Sequence, residues 1–274
     1  MILVDPWFQD STVAQPIIEG LSGAKTIDFQ IPKTNQSIDN YRPDAVLISH
    51  FHPHHSPAHD ILQLANHQKK VIIAYPHSRY IESVQNQFSH HPNALHQLSK
   101  DGDVFRVGPF FVKAWEHTTE EHVAWSIESS TGHVVHIADA RINSNITLSS
   151  VDPLWKKFTG QDFDIAFLTA GKSNILTGGG TTADITEGCI LTPVQAAKLT
   201  RLLQPKVVAL IGIYNHSLWA DWKEYRMSAG DCEQEYRWAL NHLSPYTRFT
   251  SLYPGYQFGI QNHQLLDHVD TYIK

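Results

Sequence analysis

The segment Ala45-Val-Leu-Ile-Ser-His50-Phe-His-Pro-His-His55-Ser-Pro57 decides the fold of this chain. The apolar run Ala45–Ser49 predicts a short buried strand. Ser56 and Pro57 predict the N-cap and the first position of a helix, because proline lacks an N–H that would be unpaired there anyway. Four histidines are therefore confined to a tight connection between a strand and a helix.

These four histidines predict a metal site. Side chains at alternate positions of an extended segment point the same way, so His50 and His52 can reach one ion together. The turn that follows would direct His54 or His55 toward a second ion. Imidazole nitrogen is a good zinc ligand, and catalytic zinc keeps one coordination position for water. The alternative is a polar loop whose histidines cap the helix or face solvent.

The composition supports a single folded domain over residues 1–274. The chain is 42% hydrophobic and 18% charged, which provides enough apolar side chains for a core. A net charge of −6 and the lack of a Lys or Arg block disfavour nucleic-acid binding. No apolar stretch approaches the ~18 residues of a membrane span, and the first residues do not resemble a signal peptide. We therefore expect a cytoplasmic protein that acts on a small molecule.

The remaining apolar runs predict many strands and few helices. A second helix is predicted after Thr192-Pro193, and a third over Asp221–Leu243 with a break near Gly230. The glycine-rich stretch Gly171–Gly188 predicts a long surface loop, either disordered or part of an active-site wall. Strands are predicted at Ile2–Val4, Val71–Tyr75, Val104–Val107, Phe110–Trp115, His122–Glu128, His133–Ala138, Ile165–Thr169 and Lys206–Ile211.

The segment from His50 to His55 resembles the HxHxDH motif of metallo-β-lactamase-fold hydrolases. The start Ile2-Leu-Val-Asp-Pro-Trp7, with Leu191–Ala197 and Pro205–Val208, is similar to the branch that contains L-ascorbate-6-phosphate lactonases and N-acyl-phosphatidylethanolamine phospholipase D. The resemblance covers roughly residues 1–225. It implies an α/β protein built as a four-layer αβ/βα sandwich, with the metals at one edge between two sheets.

The resemblance also implies a ligand set. Asp139, in the sequence His136-Ile-Ala-Asp139, takes the place of the carboxylate that bridges two metals, with Ala138 where the family has glycine. Position 54 departs from the motif, because histidine replaces the aspartate that ligates the second metal and orients water. Asp139 and His54 are the expected catalytic residues. The implied metal ligands are His50, His52, His54, His55, His117, Asp139 and His216.

The implied function is hydrolysis of a small lactone, ester or phosphoester by a metal-bound hydroxide. One or two divalent ions are expected, with zinc favoured and manganese, iron or nickel open, because imidazole suits softer metals. The alternatives are a phosphodiesterase and a degenerate, non-catalytic metal-binding protein. Asp5 is favoured as a turn residue over a carboxylate that orients a ligand histidine. Glu120, Glu121 and His122 are assigned no role.

Overall fold

The computed structural model describes residues 1–6, 8, 26–30, 37–51, 55–67, 70–76, 91, 93–116, 122–140, 153–170, 191–211, 215–220, 223–227, 229–251 and 259–266. Within these ranges the α-helices are α1 (Ala58–Asn66), α2 (Pro153–Lys156), α3 (Pro193–Leu203) and α4 (Ala229–Leu243), and Ile38–Asn40 forms a 3-10 helix. No helix in the described ranges combines enough length with enough apolar character to span a lipid bilayer.

The strands of the described residues account for most of the regular structure. They are β1 (Ile2–Val4), β2 (Thr26–Gln30), β3 (Ala45–Leu47), β4 (Val71–Pro76), β5 (Ala94–Ser99), β6 (Val104–Val107), β7 (Phe110–Glu116), β8 (Val123–Glu128), β9 (His133–Ile137), β10 (Ile165–Thr169), β11 (Val207–Ile211), β12 (Asn215–Ala220), β13 (Lys223–Met227), β14 (Arg248–Ser251), β15 (Gly259–Gln261) and β16 (Gln264–Leu266).

Two sheets form the centre of the molecule. The smaller sheet has the order β1-β3-β4-β5, and the larger has the order β14-β11-β10-β9-β8-β7-β6. Strands β1, β3, β4 and β5 are parallel, as are β9, β10, β11 and β14, whereas β6 to β9 pair antiparallel. Strands β13, β12 and β2 form a three-stranded sheet, and β15 and β16 form a hairpin.

The two central sheets pack face to face. Ala45 and Leu47 belong to the core between the sheets, together with Trp125 of β8. Val46 and Ile48 belong instead to the core beneath α1. This alternation follows from the two-residue period of an extended chain, which sends successive side chains to opposite faces. The apolar run before the histidines is therefore buried on both faces.

Helices cover the outer face of each sheet. Ile61 and Leu64 of α1 pack on the smaller sheet. On the larger sheet, Ile137 packs in one core with Leu199 of α3 and Tyr236 of α4. The layer order is helix, sheet, sheet, helix. The prediction of a four-layer αβ/βα sandwich is confirmed.

The helix predictions had mixed outcomes. The helix after Thr192 is confirmed, since α3 begins at Pro193 and the Thr192 side chain accepts a hydrogen bond from the Gln195 N–H in a capping box. The assignment of Ser56 as an N-cap is wrong: Pro57 is the N-cap and has an extended backbone, so α1 begins one residue later than predicted.

The helix predicted over Asp221–Leu243 is wrong in its first part. Lys223–Met227 is the strand β13, and α4 begins at Ala229. Strand β13 pairs antiparallel with β12 along five residues of register. Backbone pairing with a neighbouring strand, which the local sequence does not reveal, overrides helical preference there.

The hairpin of β15 and β16 is attached to the larger sheet at the amino-terminal ends of β9, β10 and β11. Asp164 Oδ1 accepts a hydrogen bond from Lys206 Nζ at 2.6 Å. Asp164 Oδ2 accepts one from the His133 N–H at 2.8 Å and lies 2.9 Å from His263 Nδ1. The His263 N–H donates to the Thr131 carbonyl at 2.8 Å. The buried carboxylate of Asp164 thus joins His263 of the hairpin to His133 and Lys206 of the sheet region.

Candidate metal centre

The candidate centre lies where strands of both sheets end. Asp5 follows β1, His50 follows β3, and Asp139 follows β9. Asp5 and Asp139 have backbone φ angles of 43° and 44°. This left-handed region is uncommon for residues other than glycine, although aspartate tolerates it better than most. Such conformations occur often at functional sites, where they turn a side chain in a direction that a continuing strand could not provide.

The structure brings together His50, His55 and Asp139. One ligand atom of each residue lies within 4.8 Å of the others. Asp139 Oδ2 is 3.3 Å from His50 Nε2 and 3.6 Å from His55 Nε2. His50 is 2% exposed and Asp139 is 4% exposed. A carboxylate buried to this degree requires positive charge or hydrogen-bond donors around it.

Asp5 holds the two histidines from the opposite side. Its Oδ1 accepts a hydrogen bond from the Ser49 N–H at 2.7 Å, and its Oδ2 accepts one from Ser49 Oγ at 2.6 Å. The same Oδ2 lies 2.9 Å from His55 Nδ1. Ser49 Oγ in turn lies 2.9 Å from His50 Nδ1. The Asp-Pro sequence favoured a turn role for Asp5, whereas its contacts support the alternative of a carboxylate that orients a histidine.

These contacts decide which ring nitrogens carry hydrogen. Burial raises the pKa of Asp5, but the charge and hydrogen bond of His55 outweigh it and lower the pKa to about 2. An ionised carboxylate only accepts hydrogen bonds, so His55 Nδ1 must donate. Ser49 donates its one hydroxyl hydrogen to Asp5, so His50 Nδ1 must donate to Ser49. In a neutral ring, Nε2 of each histidine then presents a lone pair toward Asp139.

The two histidines differ in their affinity for a proton. Burial lowers the pKa of His50 well below its ordinary value of 6.5, and the neighbouring His55 lowers it further. Burial also lowers the pKa of His55, but the charges of Asp139 and Asp5 outweigh it and the pKa is raised above 6.5. The Nε2 lone pair of a neutral His50 thus faces an oxygen of Asp139 at 3.3 Å.

This arrangement fits a divalent metal ion. Two acceptors that face each other in a buried site require a proton or a cation between them. Imidazole nitrogens with a carboxylate oxygen form a donor set suited to zinc and to iron or nickel. The hydrogen bonds from Nδ1 to Asp5 and Ser49 are of the kind that orients metal-ligating histidines in proteins.

The predicted ligands fall into three groups. His50, His55 and Asp139 converge as described. His52, His54 and His117 lie outside the described residues. His216 lies within β12, opposite Phe29 and Met227 in the strand register, and only its backbone is described.

Sequence reasoning missed three residues beside the centre. Ser49 links Asp5 to His50, and His122 packs its ring against His50 with 4.2 Å between centroids. His136 lies opposite Trp125 in the register of β8 and β9, and its Nδ1 is buried without a hydrogen-bond partner among the described residues. A histidine flanked by the apolar Val135 and Ile137 was a signal that could have been used for His136.

Solved structures of low sequence identity share this fold. No established family profile and no curated protein matches the chain. The structure resembles the metallo-beta-lactamase fold protein YhfI from Bacillus subtilis, with a TM-score of 0.50 and 12% identity over 77% of this chain and 76% of that one. It also resembles CmlA, a diiron beta-hydroxylase from Streptomyces venezuelae, with a TM-score of 0.54 and 16% identity over 78% of this chain and 44% of that one.

The chain therefore has the metallo-β-lactamase fold, as predicted.

Proposed function

We propose that this chain is a metal-dependent hydrolase of small lactone, ester or phosphoester substrates, folded as one domain over residues 1–274. The observation that carries the proposal is the convergence of His50 Nε2 and His55 Nε2 on Asp139 Oδ2, at 3.3 and 3.6 Å, in a buried site. Acceptor atoms that face one another in a buried site require a proton or a cation between them, and a divalent ion would meet this requirement for both histidines. The site lies at the edge between the sheets, where loops from both can contact a substrate.

The proposed centre holds one or two divalent ions, with zinc favoured. In the two-ion form, His50, His52 and His117 would hold one ion. His54 or His55, Asp139 and His216 would hold the second. The structure supports the shared role of Asp139, because its Oδ2 lies close to one histidine from each set. The other assignments rest on the sequence resemblance.

The chemistry follows from the residues that hold the ion. A divalent ion at this site would polarise the substrate oxygen and make a water acidic enough to attack near neutral pH. Asp5 keeps a hydrogen on His55 Nδ1, so that Nε2 remains a donor of its lone pair. Ser49 does the same for His50. Asp139 provides negative charge from a side chain that is 4% exposed, and a charge that water screens so little acts strongly on its neighbours.

The substrate class rests on charge and on the resemblance. The net charge of −6 does not favour a polyanionic substrate such as a nucleic acid. The similarity to the lactonase branch gives lactones priority, ahead of phosphodiesters. The replacement of the motif aspartate by His54 favours the degenerate, non-catalytic alternative, and turnover by the metal-loaded protein distinguishes the two.

The first test is the metal content of protein purified without added metal or chelator. We expect one or two ions per chain by elemental analysis, and a loss of metal in His50→Ala and in Asp139→Ala. His242→Ala, an exposed histidine on α4, is the matched control and should keep its metal. A wild-type chain that takes up neither zinc nor manganese would contradict the proposal.

The second test is turnover. The metal-loaded protein is screened with a lactone panel, p-nitrophenyl acetate, p-nitrophenyl phosphate and bis-p-nitrophenyl phosphate. We expect hydrolysis of at least one class, abolished in Asp139→Ala and retained in His242→Ala. A metal-loaded chain that hydrolyses none of these substrates would favour the degenerate alternative.

A further inference from the structure

His122 contacts a proposed metal ligand without belonging to the donor cluster. It directly precedes β8 and is 5% exposed. Its ring centroid lies 4.2 Å from that of His50, with 34° between the ring planes. The His55 ring also packs on His50, with 4.1 Å between the ring centroids and 41° between the ring planes. The His50 ring is thus packed against two imidazoles, of which only His55 is in the cluster with Asp139.

The backbone fixes the two rings relative to each other. The Val123 N–H donates to the Ser49 carbonyl at 2.9 Å. This bond joins the residues next to His122 and His50, and it connects the larger sheet to the loop after β3 of the smaller sheet. Ser49 and Val123 are 0% and 1% exposed, so water does not compete for the bond. The contact between the rings therefore belongs to the packed interior.

The orientation of the His50 ring is set by a hydrogen bond at its edge and by packing from two neighbouring rings, one of which is His122. The hydrogen bond from His50 Nδ1 to Ser49 Oγ holds one edge of the His50 ring. A single hydrogen bond still permits the ring plane to rock about that edge. Packing against the face of the ring restricts this rotation, and the precision of a metal site depends on ligand side chains that are held in this way.

We propose that His122 is a positioning residue of the metal centre: its ring packs on His50 and sets the plane in which Nε2 of His50 faces Asp139. The identity of His50 as a ligand rests on the proposed function. The packing of the His122 ring on the His50 ring is independent of the proposed function. The contribution of His122 comes from the shape of its ring, so a phenylalanine at this position preserves it.

The first measurement is zinc affinity, by competition with a chromophoric chelator, together with ions bound per chain. His122→Ala should weaken zinc binding about 10- to 100-fold, as expected for the loss of a group that supports a ligand. His122→Phe should bind zinc within about threefold of the wild type, because the ring is replaced by one of similar volume. The number of ions per chain should not change in either variant.

The second measurement needs no metal. In the metal-free wild type, nitrogen NMR of the imidazoles should report His50 with hydrogen on Nδ1. His122→Ala should shift or broaden the His50 signals, and His122→Phe should preserve them. The unfolding temperature of each metal-free variant identifies any general loss of folding, and His242→Ala provides the control.

Each outcome decides the role of His122. Equal weakening in both variants, with one ion fewer per chain, would mean that a nitrogen of His122 is itself a ligand and would overturn the proposal. Unchanged affinity and unchanged His50 signals in His122→Ala would also overturn it. A wild type that binds neither zinc nor manganese would refute the proposed function, and the NMR comparison would still decide whether His122 positions His50.

Discussion

Asp5 Oδ2 and His55 Nδ1 lie 2.9 Å apart, although 50 residues separate them in the chain. The carboxylate ends the first strand and the imidazole comes from the loop after β3. The same oxygen accepts a hydrogen bond from Ser49 Oγ at 2.6 Å. One carboxylate oxygen therefore sets the hydrogen positions of both histidines that face Asp139.

Replacement of Asp5 by asparagine should weaken zinc binding about 10- to 100-fold, because the loss of a supporting group reduces metal affinity by about this factor. Asparagine tolerates the left-handed backbone at this position, so the fold should persist. Zinc affinity by chelator competition measures the effect. Asp164→Asn, another buried carboxylate at the opposite end of the sheet, is the control and should leave zinc affinity unchanged. Equal affinities in Asp5→Asn and the wild type would contradict this role.

Ser49 should be required through its hydroxyl group. Ser49→Ala leaves His50 Nδ1 without its acceptor, which costs about 1–3 kcal/mol for a buried donor. We expect zinc affinity to fall about tenfold. Ser49→Thr retains the hydroxyl and should restore most of the affinity. A threonine variant as weak as the alanine variant would indicate that packing, rather than the hydrogen bond, is what matters.

Zinc binding should weaken in mild acid. Zinc competes with a proton for His55 Nε2, and the charges of Asp139 and Asp5 raise the His55 pKa above 6.5 against the effect of burial. As the pH is lowered, zinc affinity should therefore begin to fall while the pH is still above 6.5. Once His55 is protonated, the affinity should fall by at least about tenfold for each further pH unit. In Asp5→Asn one of the two negative charges is gone, so the fall should begin at a lower pH. A pH series of the chelator competition measures both. An onset that does not move in Asp5→Asn would contradict the assignment to His55.

The strand and helix pattern was largely predictable, because it depends on local sequence. The run before His50 predicted a buried strand, and Thr192-Pro193 predicted a capped helix that the structure confirms. The histidines and the aspartate of the centre were predictable from different features of the sequence. His50 and His55 stand out by spacing, whereas Asp139 was identified only through the family resemblance.

The supporting residues were not predictable, since their roles depend on contacts between distant segments. Asp5 is a turn-forming Asp-Pro by sequence, and only the pairing of β1 with β3 brings it to Ser49. His122 lies beside charged residues that suggested solvent exposure, but the hydrogen bond between Val123 and Ser49 places it against His50. Strand β13 likewise depends on pairing with β12, which helical preference in the local sequence obscured.

The carboxylate beneath the hairpin should make stability depend on pH. Burial raises the pKa of Asp164, but hydrogen bonds from Lys206 and His133 outweigh it and lower the pKa below 3.8. Its contribution is therefore present above the unfolded-state pKa and is lost as the pH falls through the lower folded-state value. Asp164→Asn should lower the unfolding free energy at pH 7 by about 1–3 kcal/mol. The difference from the wild type, measured by urea unfolding, should shrink below pH 3.8. A difference that stays constant down to pH 2.5 would contradict this account.

Gly132 should not tolerate a side chain. A Cβ at this position would lie 2.6 Å from Cγ2 and 3.2 Å from Cβ of Ile260 in the hairpin, and a β-branched side chain cannot move aside easily. Gly132→Ala should reduce the unfolding free energy by about 1–3 kcal/mol. Ile260→Ala makes room, so the double variant should lose less than the sum of the two single losses. If the loss of unfolding free energy in the double variant equals the sum of the two single losses, no steric clash between the two positions exists.

The left-handed backbone of Asp5 and Asp139 restricts which residues can replace them during evolution. At both strand ends a β-branched or bulky residue would strain the backbone, whereas glycine and asparagine adopt this conformation at low cost. Relatives that keep this fold but lack aspartate at positions 5 and 139 should therefore carry glycine or asparagine there. In such relatives the conformation of the two strand ends would outlast the carboxylates themselves.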